Sequence, residues 1–254
     1  MGTEKSSSSE NVNPYHKEFP DLKLYDFAGT PALVGEQHGE ALKDKIKLHL
    51  DLVYSKSLKK SGLSRESLLS LATKFEPFIE RYAPQFLEEL KGISRSAGIS
   101  YAEALLLQIR QEAINLRRLG VEKQGGEKEC TTFAVSAPYT EKGAVFSGQN
   151  ADLTGPFEDF SAVIRFRVKG KPVVQMLIPA GQVSYIGFNS EGISACANFL
   201  NCTGWRAGFP RYMLTRLALE ERSFEKARAA LLTPERASSR NLMLTHREGD
   251  MIDL

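Results

Sequence analysis

Two hydrophobic periods divide this chain. Up to about residue 118 the apolar positions recur every three or four residues, the period of amphipathic helices. From Cys130 onward they alternate with polar ones, the period of half-buried strands. Thr30-Pro31 has the chemistry of an N-cap with proline at the first helical position. A helix is therefore expected over about residues 31–56, with Leu33, Val34, Leu42, Ile46, Leu50 and Val53 on one face. Gly62 and Ser64 end it and cap a second helix carrying Leu68, Leu69, Leu71 and Phe75. Pro77 and Pro84 bound a short segment around 78–82, and a third helix over 86–97 stops at Gly98. Ser100-Tyr101-Ala102-Glu103 is a capping box and opens a fourth helix over about 101–118, with Leu105, Leu106, Ile109 and Ala113 inside. Arg110 and Glu112 on that helix read as a solvated face.

Between the two regimes, residues 120–129 (GVEKQGGEKE) carry almost no apolar side chains and read as an exposed loop. Beyond it, Phe133 and Val135 alternate with Thr132, Ala134 and Ser136. Residues 144–149 make the second arm of a hairpin turning at Glu141-Lys142-Gly143. Strands are expected at 162–169, 173–178, 183–188 and 193–198, the last two joined by Asn189-Ser190-Glu191-Gly192. Helical character returns over 210–221 and 224–232, and a strand at 241–246 turns at Gly249-Asp250. This grouping of helices and strands is an α+β layered architecture.

Composition narrows the function classes. A hydrophobic fraction of 42% and a charged fraction of 25% are ordinary for a soluble globular protein. The net charge of +2 leaves no electrostatic footprint for nucleic acid or an anionic membrane, and neither is expected as a partner. Three cysteines at irregular spacing make no disulfide framework and point to a reducing compartment. The N-terminus lacks the apolar stretch of a secretory signal, and Ile252-Asp253-Leu254 is not a peroxisomal tripeptide, so a cytoplasmic location is expected. Residues 1–20 read as a disordered tail.

Cys130 stands where the loop ends and the alternation begins. On the residues alone, two readings are open. One is a core cysteine at a strand start. The other is a thiol that becomes the first residue of a new chain when the preceding bond is cut, with its own α-amine as base. Two further segments line up with it: Gly148-Gln149-Asn150-Ala151-Asp152, and Gly187-Phe188-Asn189-Ser190-Glu191-Gly192 leading to Asn198.

Taken with Gly29-Thr30-Pro31, Gly35, His38-Gly39, Leu90-Lys91-Gly92-Ile93 and Arg110-x-Glu112, these segments resemble the isopenicillin N acyltransferases (acyl-coenzyme A:6-aminopenicillanate acyltransferases). That family lies within the N-terminal cysteine nucleophile hydrolases. The resemblance implies a four-layer αββα N-terminal nucleophile (Ntn) hydrolase fold, preceded by a helical segment. Residues 21–129 would be that segment, akin to a propeptide or small subunit, and 130–254 the first part of the core. Because Asp253-Leu254 falls early in a returning strand, the fold is expected to be C-terminally incomplete, without a further asparagine that the family uses.

The resemblance also implies roles. Cys130 matches the nucleophile, released by self-cleavage of the Glu129–Cys130 bond, and Glu129 departs from the small residue common there. Asp152 matches the aspartate that orients the α-amine, Asn198 an asparagine that donates to the oxyanion, and Gln149 a substrate-binding position. Arg110 and Glu112 would pair near the cleavage loop. Cys196, Cys202 and His38 are expected to be structural. The activity implied is cleavage or transfer of a small acyl group from an amide or thioester, with an amine or water as acceptor. No metal or organic cofactor is expected, and acyl-coenzyme A would be a substrate. Two alternatives remain beside it: a non-catalytic remnant or interaction module of the same fold, and an unprocessed cysteine hydrolase with His38 or His246 as base.

Overall fold

Local capping chemistry sets several helix boundaries in the computed structural model, which describes residues 23–116, 130–152, 156–200, 204–238 and 240–254. The expected tail (1–20), Glu129 with the loop before Cys130, and Cys202 lie outside the described residues. The chain opens with a strand, β1 (Leu24–Gly29), followed by α1 (Pro31–Ala41), α2 (Lys43–Ser61), α3 (Arg65–Thr73), α4 (Glu76–Tyr82), α5 (Pro84–Ala97), α6 (Tyr101–Gln108) and α7 (Arg110–Asn115). The Thr30 side chain accepts from the Leu33 amide and Ser64 from the Ser67 amide, and Ser100 with Glu103 completes both halves of the capping box. Gly62 and Gly98 close α2 and α5 in the left-handed region, at φ 67° and 69°.

The expected helices over 31–56 and 101–118 are each broken once. Leu42 (φ −119°, ψ 18°) separates α1 from α2, and Ile109 (φ −116°, ψ 22°) separates α6 from α7. No glycine or proline marks either position; both breaks come from tertiary packing. Helix α1 lies almost in contact with the α5 backbone: a Cβ added at Gly35 would sit 2.0 Å from the Glu89 carbonyl oxygen, and one at Gly92 2.3 Å from that of Ala32. This docking turns α1 so that Gly35, His38 and Gly39 face inward, and Leu33, expected inside, is 44% exposed.

The second half supplies the hairpin β2 (Cys130–Val135) and β3 (Phe146–Ala151), then α8 (Phe157–Phe160), β4 (Ser161–Val168), β5 (Val174–Pro179), β6 (Ile186–Asn189) and β7 (Ile193–Asn198). Helices α9 (Leu214–Leu219) and α10 (Phe224–Leu232) and strands β8 (Asn241–His246) and β9 (Met251–Asp253) complete it. One seven-stranded sheet runs β1-β4-β5-β6-β7-β8-β9, antiparallel except for β1 beside β4. Strand β6 begins three residues later than the expected 183, because Val183 gives its N–H to Gln108 and its carbonyl to Arg216 instead of to a neighbouring strand.

Register makes one face of this sheet the core. Phe27 lies beside Phe166, Ile164 opposite Met176, and Ala195 opposite Leu244, and all are buried. The helices cover that face: His38 of α1 stacks on Phe27 with centroids 5.8 Å apart, and Arg216 of α9 lies 4.0 Å over the Phe166 ring. The hairpin β2–β3 sits on the opposite face, where the Ser147 and Ser194 hydroxyls are 2.7 Å apart. Helices, a large mostly antiparallel sheet and a second small sheet thus form a mixed α/β arrangement compatible with an Ntn-like fold. Among the described residues no helix is long and apolar enough to cross a membrane.

Candidate active site

Cys130 is the first residue of β2, and the hairpin register fixes its surroundings. It pairs with Ala151, so Asp152 follows immediately after its cross-strand partner. In an antiparallel pair this sets Asp152 toward the N-terminal end of β2, on the side of the Cys130 nitrogen. Asp152 is exposed and Cys130 half-buried. The alternation in β2 turns the Phe133 ring outward. Thr132 faces β7, while Phe133 and Phe146 are 52% and 57% exposed on the outer face. Cys130 and Thr132 share a face of the strand, so the thiol is directed into the layer between hairpin and large sheet. Cys130 and Cys196 are free thiols, and burial pushes the Cys196 thiol up, which suits the structural role expected for it.

Gln149 lies opposite Thr132. Its Nε2 donates to the Ala197 carbonyl at 2.8 Å and its Oε1 accepts from the Ala197 amide at 2.9 Å. Strand β6 leaves the ladder before this point, and the Gln149 amide takes the place of a strand partner. Both ends of the side chain are thereby spent on fastening the hairpin to β7 instead of facing a substrate.

Asn198 donates from Nδ2 to Thr132 Oγ1 (3.0 Å) and to Asn241 Oδ1 (2.9 Å). Asn241 in turn donates to the Asp253 carboxylate, which fixes the direction of the chain of amides. Both Nδ2 hydrogens are committed, and the buried Oδ1 has no partner. Asn198 is therefore beside the strand that carries Cys130, but in this arrangement it presents a carbonyl oxygen, not the N–H expected for an oxyanion.

Arg110 and Glu112 do not form a solvated helix face, nor do they pair. Glu112 is fully buried, and its Oε1 accepts from the main-chain N–H of Arg211 at 3.0 Å. Burial pushes its carboxyl up, against the charges of Arg211 and Arg110. Arg110 instead lies against Phe157 and Tyr212 (5.0 and 4.7 Å to the ring centroids). Arg240 lies over Tyr185 and Tyr212 (5.3 and 5.0 Å), and Arg211 over Phe199 (4.6 Å). Burial pushes the Tyr185 phenol up.

Sequence periodicity missed this cluster. Its one signal was that residues 209–219 contain only two charges, Arg211 and Arg216, in an otherwise apolar run.

The two histidines considered as alternative bases are engaged elsewhere. His38 Nε2 accepts from the Gly181 amide at 3.0 Å, and His246 Nε2 lies 3.2 Å from the Glu191 carbonyl. His38 is buried and structural in its contacts.

Residues 140–253 match the family described as acyl-coenzyme A:6-aminopenicillanic acid acyl-transferase. Over 201 residues, 78% of this chain, the sequence is 30% identical to the acyl-coenzyme A:6-aminopenicillanic-acid-acyltransferase 40 kDa form of Emericella nidulans. The match covers 53% of that protein, so the chain spans about half the length of this curated relative.

Proposed function

Through residues 140–253 this chain belongs to the acyl-coenzyme A:6-aminopenicillanic acid acyltransferase family, and we propose that it is a self-processing cysteine acyltransferase or amidohydrolase working through a thioester on Cys130. The observation that carries this reading is the position of Cys130 at the first residue of β2, between the two sheets, with Asp152 one residue beyond its cross-strand partner. On this reading the helices, the large sheet and the hairpin belong to a four-layer αββα fold in which β2–β3 starts the second sheet.

Self-processing breaks one bond. The Cys130 sulfur adds to the Glu129 carbonyl, the C–N bond to Cys130 breaks, and the nitrogen takes up the thiol proton. Water then hydrolyses the thioester, leaving a carboxylate on Glu129 and a free thiol beside a new α-amine. In turnover that amine takes the thiol proton as the sulfur attacks an acyl carbonyl, and returns it to the departing thiol or amine. An α-amine titrates at about 7.7–8.0, close to the working pH, so it needs little tuning. The Asp152 carboxylate accepts from the resulting ammonium. Asn198 reaches the developing oxyanion by exchanging its bond to Thr132 for one to the acyl oxygen. Acyl-coenzyme A serves as acyl donor and an amine or water as acceptor. The chemistry uses thiol, amine and amides alone, and the protein works in the cytoplasm as two processed subunits.

Intact mass under denaturing conditions tests this. The unsubstituted chain should give two fragments meeting between Glu129 and Cys130, together one water heavier than the uncut chain, and Cys130→Ala a single species. Incubation with an acyl-coenzyme A should then add the acyl mass to the fragment that begins at Cys130. An uncut chain that never gains an acyl group would end the proposal.

A further inference from the structure

Helical spacing brings His49, Lys56, Ser57 and Lys60 to one side of α2. There they line a cavity of about 60 Å³ whose other walls include Arg110 of α7 and Phe157 of α8. A single water needs about 10–15 Å³ of such space, so the cavity has room for a five-atom ion and none for a nucleotide. No Asp or Glu is among the residues that line it. Lys56 and Lys60 are like charges one helical turn apart, a pairing that weakens a helix and that an anion between them would offset. Lys56 and Arg110 lie 5.8 and 5.0 Å from the centre of the Phe157 ring, so cations from α2 and α7 meet at α8. The charge of Arg110 also acts on Glu112.

The cavity offers more than positive charge. His49 Nε2, Ser57 Oγ and Arg110 Nε are all buried without a hydrogen-bond partner. His49 Nδ1 lies 2.8 Å from the Ala180 carbonyl. A carbonyl can only accept, so the ring proton sits on Nδ1 and Nε2 is a bare lone pair. Burial, with the charges of Arg110 and Lys56, keeps the ring neutral and pushes it down to about 3. A buried acceptor left unpaired is costly. The site therefore combines cations and a hydroxyl donor with one acceptor, and its complement is an oxyanion that still carries an O–H.

Inorganic phosphate meets that requirement, because both of its forms near neutral pH keep an O–H. Sulfate and an ionised carboxylate have no proton to give. A phosphate monoester, with a second pKa of about 6, has lost most of its own above neutral pH. We propose that the cavity between α2, α7 and α8 is a binding site for inorganic phosphate, held by Lys56, Lys60 and Ser57, with its O–H donated to His49 Nε2. The site does not rest on the reading of Cys130.

The test is calorimetric titration of the full chain carrying Cys130→Ala, at slightly alkaline pH and constant ionic strength, with inorganic phosphate, sulfate and methyl phosphate. Phosphate should bind, and the other two at least about tenfold more weakly, since each leaves the buried acceptor unpaired. Ser57→Ala should weaken phosphate by about threefold or more. Its melting temperature without phosphate should be unchanged or higher, because an unpaired buried hydroxyl is gone. Lys60→Met, at an exposed position, should weaken phosphate and sulfate alike by about three- to fivefold. His49→Asn should lose the preference for phosphate over sulfate. No binding of phosphate, equal binding of sulfate or methyl phosphate, or unchanged affinity in Ser57→Ala and Lys60→Met would overturn the proposal. Because the titrated protein lacks the thiol, a failure of the cysteine chemistry leaves this result standing.

Discussion

Arg216 is the residue on which the buried electrostatics of the helical layer converge. Its guanidinium bridges α5 and the end of α9 through Glu89 and Glu220, and lies on the rings of Phe166 and Phe86. Glu220 also receives Gln85 at 2.9 Å, so its carboxylate is shared by two elements. Removing the arginine leaves the buried Glu89 without its cation, while Glu220 keeps Lys171 at 3.6 Å. A buried carboxyl stripped of its partner is worse than never having had the pair. Arg216→Met is therefore expected to cost about 3–5 kcal/mol, read as a lowered denaturation midpoint. Arg211 and Arg216 look alike in the sequence, as single charges in an apolar run; only the tertiary positions of Glu89 and Glu220 separate them.

At the scale of elements, the hairpin that carries Cys130 is held to the large sheet by few bonds. The reciprocal pair between Gln149 and the Ala197 backbone is one, and the Ser147–Ser194–Thr245 hydroxyl cluster is another. Gln149→Ala would leave the Ala197 N–H and carbonyl without partners, at a cost of about 1–3 kcal/mol. Hydrogen exchange at the Ala197 amide should accelerate in that variant while amides in α5 keep their protection; unchanged exchange at Ala197 would remove the fastening role.

Elements with their own chemistry were legible before the structure. The capping box at Ser100–Glu103, the glycine stops at 62 and 98, and the alternation of β4 each state their boundary locally. The breaks at Leu42 and Ile109 carry no such mark. Strand β1 was missed because it buries only Phe27, while Asp26 pairs on the outer face with Arg165 and Arg167. At the site, the place of Cys130 at the head of a strand was legible from the loop-to-strand junction. The arginine cluster was not, because it gathers residues from α7, the approach to α9 and the approach to β8.

Across the whole molecule, the helical and sheet halves meet at the turn between β5 and β6. His38 of α1 accepts from the Gly181 amide, and His49 of α2 shares its Nδ1 proton with the Ala180 carbonyl at 2.8 Å. Gln108 of α6 bonds the Gly181 carbonyl and the Val183 amide, and Gln182 returns a bond to Leu107. Both histidines are buried, and burial foremost pushes each down to about 3. An unfolded histidine titrates near 6.5, so between about 6.5 and 3 the unfolded chain binds more protons at these two positions than the folded one.

Their contribution to stability is complete above pH 6.5 and is lost as the pH falls, at up to about 1.4 kcal/mol per pH unit for each ring. The buried carboxyls of Glu89 and Glu112, pushed up by burial, act in the opposite sense and would mask part of this slope. Variants separate the two contributions. His38→Gln keeps an acceptor for Gly181, and His49→Asn keeps a donor for Ala180, while neither can titrate. Denaturation midpoints between pH 4 and 6.5 should depend less on pH by about one proton in each variant. The double variant should lose about two, and identical slopes in all four proteins would mean that these rings are not held neutral at the junction of the two halves.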